Sequence, residues 1–376
     1  MSQVLFHSDA FASASRYGLA RYAWELYEAL RALDASLELV PISSRCTIDE
    51  AERRKLRVEH GFVGIGWPHR LLLMQWMISG GPKIERWYPD ADLVHTVEMD
   101  YPVTTRKPWV VTVHDLGPLT HPEYFSESRP WIRRRGIDAA IDRADIIVCV
   151  SGATAAAVEA VAGRSLDDRL RVIPEGVSDA FYDASDNTCL NALSDMPPAG
   201  TPYFLWTGSL NPRKNLHKVL DAFEMVAGEL EESLVIAGGL GWDNGELLQR
   251  LATSCYRDRI HRPGFVSDDQ LKALYRGASA FVYVSYMEGF GLPILEAMAS
   301  GCPVITSNTS AMPEVAGNAG LLVDPSDSTA IGDAMLQLAG DTDLRSSLAS
   351  AGLANARSFS WQKCAKAMQV IYDELS

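Results

Sequence analysis

Short apolar runs that read as strands alternate with longer runs of helical period along the whole chain, and this alternation constrains the fold more than any other feature. In the first half the strand-like runs fall at residues 4–7, 37–41, 93–95, 110–114, 146–150 and 170–173; in the second they fall at 203–207, 234–237, 264–266, 281–284, 304–306 and 321–323. Between them, a run over 18–33 sets Tyr22, Leu26, Ala29, Leu30 and Leu33 on one helical face. Ser151 is placed to cap a helix over 154–161, and Ser267 with Gln270 has the capping-box pattern. Alternation of this kind builds βαβ units and parallel sheets, so the expected class is α/β.

At 376 residues the chain is too long for one ordinary core, and two domains are expected. Residues 185–202 are rich in Ser, Asp, Asn, Pro and Gly, lack periodicity, and read as a linker. The predicted layout is a first Rossmann-like domain over 1–184, the linker over 185–202, a second Rossmann-like domain over 203–358 and a last helix over 359–376. Doubly wound domains bind ligands at the carboxyl ends of their strands, so two of them facing one another would enclose a cleft.

Charge excludes one class of partner. The net charge of −14 is unsuited to general nucleic-acid binding, which relies on a basic face. Basic residues concentrate at Arg129, Arg133, Arg134 and Arg135, around Trp131 and Ile132. That patch suits a solvated helix face or a peripheral contact with anionic lipid. No apolar run approaches the ~18 residues of a membrane span, and the first residues read as a strand rather than a leader, so a cytoplasmic protein is expected, with the patch offering contact to the inner face of the membrane. The six cysteines are scattered without a Cys-x-x-Cys pair, which argues for reduced thiols.

The chemistry concentrates at strand ends. Glu288-Gly289-Phe290-Gly291-Leu292-Pro293 and then Glu296 lie where a strand turns into a helix. Glycine lets backbone amides approach an anion there, the helix dipole favours phosphate, and Glu296 can accept hydrogen bonds from vicinal hydroxyls. The plainer reading has Glu296 complementing its helix and Glu288 on a solvated loop. After the first strand of the second half come Gly208, Arg213 and Lys214, a turn and two cations suited to a diphosphate. The spacing is not that of a Walker loop. Ile236-Ala237-Gly238-Gly239-Leu240-Gly241 lacks the third glycine of a dinucleotide fingerprint and reads as a strand-end loop near a nucleotide. The backbone at Phe265 and Val266 can pair with a base edge, or both residues can be plain core.

In the first half, His114 and Asp115 end a strand, where His114 can bond sugar hydroxyls or, with Asp115, relay a proton; the alternative is a satisfied structural histidine. Gly18, Arg21 and Tyr22 open a helix soon after the first strand and present another amide-rich turn. Two Asp-x-Asp pairs, Asp90/Asp92 and Asp341/Asp343, sit before a strand and between helices and are not read as metal sites.

Together these motifs resemble the retaining glycosyltransferases of family 4, which have the GT-B fold. The likeness covers the Gly18 turn, His114-Asp115, Val150-Ser151, Val172-Ile173-Pro174, the segment from Gly208 to Asn215, the Glu288–Glu296 block with seven residues between its two glutamates, and Phe359-Ser360-Trp361 before a last helix that crosses back to the first lobe. The resemblance implies that Arg213 and Lys214 bind the donor's diphosphate, Glu296 the ribose and Glu288 the transferred sugar. By the same likeness His114 lies beside the donor sugar and acceptor, and amides of Phe290, Gly291 and Leu292 position sugar and phosphate. Ala20 stands where many members have a second glycine, Ser209 where some have arginine, and Glu175 where Asn is common; no role is assigned to Glu175.

The expected activity is transfer of a hexose from a nucleotide-diphosphate sugar to a hydroxyl of a glycan or glycolipid, with retention and with neither cofactor nor essential metal. Resemblance to bacterial polysaccharide enzymes around Ser310-Ala311-Met312-Pro313-Glu314-Val315 makes GDP-mannose the first donor and a UDP-sugar the second. A lipid-linked acceptor would suit Trp67, Leu71, Leu72, Leu73, Trp76 and Trp87, although core positions or an interlobe contact are the favoured reading of these residues. A sugar-nucleotide isomerase or phosphorylase of related fold and a non-catalytic nucleotide-sugar-binding protein are the other classes.

Overall fold

The computed structural model describes residues 3–13, 18–33, 37–99, 101–125, 130–183, 187–239, 241 and 245–376. Arg129 of the basic patch, Leu240 of the glycine loop and residues 185–186 of the expected linker lie outside them. The chain forms two units: Met1–Thr120, Glu127–Gly176 and Trp361–Ser376 make the first, and His121–Ser126 with Val177–Ser360 the second.

The first unit carries β1 (Gln3–His7), β2 (Glu38–Ser43), β3 (Val63–Gly64), β4 (Leu93–Thr96), β5 (Trp109–Val113), β6 (Ile146–Cys149) and β7 (Leu170–Val172). They form one sheet in the order β3-β2-β1-β4-β5-β6-β7, with every pair parallel. The second unit carries β8 (Tyr203–Thr207), β9 (Ser233–Ala237), β10 (Ile260–Gly264), β11 (Ala280–Tyr283), β12 (Val304–Ser307) and β13 (Leu321–Val323), ordered β10-β9-β8-β11-β12-β13 and also parallel. Both are doubly wound sheets, as the sequence leads one to expect. Central strands such as β5 and β8 are buried at every position, which is why they read as unbroken apolar runs rather than alternating ones.

In each sheet the strand order reverses once, between β1 and β4 and between β8 and β11. Such a reversal leaves a crevice outside the carboxyl ends of the two strands, because the crossovers on either side of it run to opposite faces.

The helix Leu19–Leu33 turns Tyr22, Leu26 and Leu30 inward, while Leu33 at its end is exposed. The last helix, Trp361–Leu375, buries Trp361, Cys364, Met368 and Tyr372 and belongs to the first unit. Tyr372 Oη lies 2.7 Å from Nδ1 of His95, whose Nε2 lies 2.8 Å from Thr112 Oγ1. Burial holds that imidazole down to about 3, so it is a neutral strut.

Two local readings are corrected. The stretch read as a free linker is built into the second unit: the 3-10 helix Asn187–Ala192 is bonded to Gln270 through the Cys189 carbonyl (3.4 Å), and Asp195 accepts the Arg262 N–H at 2.8 Å. The strand read at 264–266 is instead β10, ending where that reading begins. Its His-Arg-Pro interior hides it from an apolar-pattern search, and Phe265 just beyond it is 64% exposed. Of the six first-half residues suited to a lipid-linked acceptor, Leu72 and Trp76 are buried core, whereas Trp67 and Leu71 are exposed. No helix among the described residues is long and apolar enough to cross a membrane.

Candidate functional site

The switch point of the second sheet gathers the expected cations. Past β8 the chain turns at Gly208, whose φ of 146° is open to glycine, and Gly238 past β9 presses against it: a Cβ on Gly238 would lie 1.9 Å from the Gly208 carbonyl oxygen. The turn then enters the short 3-10 helix Pro212–Lys214, capped by Asn211, whose side chain accepts the Lys214 N–H at 3.2 Å. Asn215 follows in left-handed conformation (φ 58°) and pins the turn to the sheet by donating to the carbonyls of Val284 (2.8 Å) and Pro325 (2.7 Å). Two long cationic side chains are thereby held at a fixed place.

What they meet there is Glu288. Lys214 Nζ lies 2.7 Å from one carboxylate oxygen of Glu288, and Arg213 pairs with the other oxygen while donating to the Met287 carbonyl at 2.7 Å. The buried Tyr283 hydroxyl, at the end of β11, also donates to Glu288 at 2.8 Å and contacts Lys214 Nζ. Burial opposes ionisation of Glu288, but Arg213 and Lys214 outweigh it and hold the carboxyl at about 2. The Lys214 ammonium also lies 4.7 Å from the Tyr283 ring centre, and the Arg213 guanidinium 5.6 Å from that of Phe125. The loop past β12 closes the cluster: Ser310, left-handed at φ 58°, donates to the Glu288 carbonyl at 2.6 Å and accepts the Glu288 N–H at 3.2 Å.

Glu296 lies on the helix that follows. Gly291 (φ 116°) caps the helix Leu292–Ala299, with Pro293 in its first turn, and Glu296 is buried on that helix with Oε2 3.5 Å from the Tyr275 hydroxyl. Tyr275 in turn lies 3.5 Å from Thr207 Oγ1 at the end of β8. Phe290 is buried edge-on to Phe359, Gly289 and Leu292 are part-exposed, and Val266 is core.

In the first unit His114 follows β5. Its Nε2 lies 3.0 Å from the Val97 carbonyl and its Nδ1 3.2 Å from Glu175, while the buried Tyr22 ring packs edge-on at 4.4 Å. The two ring nitrogens are thus held between a backbone carbonyl and a carboxylate, which fixes the plane of the ring. The carboxylate at His114 is therefore Glu175 and not Asp115, which accepts the Gly117 N–H at 2.9 Å and caps its own loop. Gly18 turns with φ 56° and accepts the Tyr22 N–H at 3.1 Å; Arg21 is part-exposed on the first turn of the helix. Of the discounted Asp-x-Asp pairs, Asp92 accepts the Gln3 N–H and Asp341 the Leu344 N–H, each at 2.8 Å.

The family model for group 1 glycosyl transferases matches residues 196–354, and that for glycosyltransferase family 4 matches 17–181. O-antigen chain mannosyltransferase B of Escherichia coli is 35% identical over 257 residues, covering 68% of this chain and 67% of that protein. The chain belongs to the family 4 glycosyltransferases.

A serotype-specific mannosyltransferase of Escherichia coli, WbdA, is 31% identical over 271 residues; the match takes in 69% of this glycosyltransferase but only 32% of that longer protein. Among solved structures, Anabaena HepE with UDP and glucose superposes with a TM-score of 0.77 over 100% of both chains at 18% identity, a likeness of fold. Three residues of the glycosyltransferase were given no site role by their motifs. Tyr283 and Ser310 sit at the ends of neighbouring strands beside a residue that was marked, which is the one signal available for them. Glu175 meets His114 across 61 positions, and only its departure from the common Asn singled it out.

Proposed function

We propose that this glycosyltransferase moves a hexose, mannose from GDP-mannose first among donors, to a hydroxyl of a glycan or glycolipid acceptor in polysaccharide biosynthesis, with retained configuration and no essential metal. The observation that carries the reading is the Arg213–Lys214–Glu288 cluster at the second sheet's switch point. Two fixed cations suit a diphosphate, and the carboxylate between them suits hydroxyls of the sugar attached to it. The two mannosyltransferase relatives support mannose.

In the reaction, the bond from the sugar's anomeric carbon to the diphosphate oxygen breaks and its electron pair leaves with the diphosphate. The acceptor oxygen bonds that carbon on the same face, and its proton passes to a diphosphate oxygen. Arg213, Lys214 and the amides from Phe290 to Leu292 stabilise the departing charge. Glu288 orients the sugar, Glu296 takes the ribose hydroxyls, and the backbone at Phe265 and Val266 takes the base. His114, held by Glu175, bonds hydroxyls of the sugar or the acceptor, and Gly18, Arg21 and Tyr22 serve the acceptor.

A thermal-shift panel of nucleotide sugars tests the donor: GDP-mannose should stabilise the fold most, and a flat response to every nucleotide sugar would sink the proposal. A UDP-sugar is the second reading, favoured by the UDP-bound neighbour of like fold. Work at the cytoplasmic face of a membrane completes the reading, supported by exposed Trp131 beside Arg134 and Arg135. Co-sedimentation with anionic vesicles checks it, and equal recovery with neutral vesicles would count against it.

A further inference from the structure

One short piece of chain changes units. His121–Ser126 belong to the second unit, although Thr120 before them and Glu127 after them belong to the first. The 3-10 turn Pro122–Tyr124 gives this piece its shape: Pro122 fixes the first φ, and the Tyr124 and Phe125 N–H groups donate to the carbonyls of His121 and Pro122 at 3.1 Å each. Two adjacent aromatic side chains are thereby set on a tight turn.

Both meet the cation cluster of the second unit. Tyr124 stacks on Tyr286, with ring centres 5.2 Å apart and planes within 4° of parallel, and the Tyr286 N–H donates to the Arg213 carbonyl at 3.0 Å. The Arg213 guanidinium lies over the Phe125 ring, 5.6 Å from its centre. Arg213 is thus held at its backbone through Tyr286 and at its side chain by Phe125.

The ring contact differs in kind from the ion pair. Glu288 and the Met287 carbonyl engage Arg213 through oxygens, as a diphosphate would, so they compete with such a ligand for its N–H groups. A ring face attracts the cation through its quadrupole and brings no oxygen to that competition. Phe125 can therefore restrain the guanidinium before a diphosphate arrives and go on restraining it afterwards, which lowers the ordering cost of binding. We propose that Phe125 is a positioning residue for diphosphate binding that acts through Arg213, with Tyr124 anchoring its turn on Tyr286. The role rests on the diphosphate seat read above.

Isothermal titration calorimetry on the full chain tests it, with GDP, UDP and inorganic pyrophosphate as probes. Phe125→Leu keeps an apolar side chain without a ring face and should weaken every probe that binds the parent by roughly fivefold, whereas Phe125→Tyr keeps the ring and should bind as the parent does. Tyr124→Leu removes the anchor and leaves Phe125 in place; it should weaken the same probes roughly twofold. In an Arg213→Ala background Phe125→Leu should cost nothing further, because the cation it seats is gone. Parent-like binding in Phe125→Leu, equal loss in the Leu and Tyr variants, a loss that persists in full without Arg213, or no binding of any probe to the parent would overturn the inference. Diphosphate binding that depends on Phe125, with no nucleotide sugar turned over, would defeat the glycosyl-transfer reading and leave the positioning role standing. Turnover with a donor KM that Phe125→Leu leaves unmoved would do the opposite.

Discussion

At the end of β8 the chain sets two cations around one carboxylate; at the end of β1, in a sheet that reverses at the corresponding point, it sets, among the described residues, the carboxylates Asp9 and Glu98 near Arg45. In both places the reversal of strand order supplies the crevice, and in both a network of loop hydrogen bonds holds the charged groups still. The difference lies in which charge the network fixes. Asn215 and the Gly208–Gly238 contact position Arg213 and Lys214, whereas Ser43, Ser44 and Tyr101 converge on Asp9. One architecture, used twice, thus carries a different set of charged groups at each reversal. Strand order tells where a ligand goes; the loops tell what it is.

The sharpest way to break this comparison is to remove charge at the second switch point. Lys214→Ala and Glu288→Ala should each lower turnover roughly 10²- to 10³-fold with folding intact. Near-normal turnover in either purified variant would remove the role given to that residue.

The stability of the two networks offers the next contrast. With a folded value of about 2 against an ordinary 4.5, Glu288 contributes stability that is fully present above pH 4.5 and is lost as pH falls toward 2. Glu288→Gln should therefore destabilise the second unit by on the order of 3 kcal/mol at neutral pH, a gap that closes on acidification. Urea titrations at several pH values would show it, and a gap that widens toward acid would refute the ionised assignment. In the first unit, Asp9→Ala leaves several buried donors unmatched and should cost about 2–3 kcal/mol. A midpoint equal to the parent's would mean that the Asp9 network is decorative.

The smallest expected effect concerns His114. Glu175→Gln should lower kcat about tenfold while leaving the donor's KM near its parent value, with partial recovery in Glu175→Asp. A change confined to KM, or equal loss in both variants, would mean that Glu175 merely packs.

Much of this was legible in the sequence because it is local. The strands announce themselves through buried apolar runs, the capping box at Ser267 and Gln270 forms as its spacing requires, and Glu288 follows its strand end within a few residues. The meeting of Glu288 with Arg213 and Lys214 follows from strand order, since β8 and β11 are neighbours. What stayed hidden depends on partners far apart in the chain with no periodic signature. Asp9 reads as an ordinary turn aspartate until Ser44 and Tyr101 close on it. Glu175 carries no meaning without His114. The interior of β10 defeats a pattern search because its polar residues are only half-buried, and the segment after residue 184 looks like a linker since Asp195 resembles any loop aspartate until it is seen against Arg262.

The helix Trp361–Leu375 completes the first unit although the whole second unit precedes it in the chain. During synthesis, the first sheet emerges with His95 facing a gap where Tyr372 will stand and with Tyr22 lacking the Trp361 ring. A nascent first unit is therefore an unfinished core that cannot close until the helix Trp361–Leu375 has left the ribosome, so folding of the two units is ordered by the chain's path: the second can settle first, and the first is sealed only once that helix follows it.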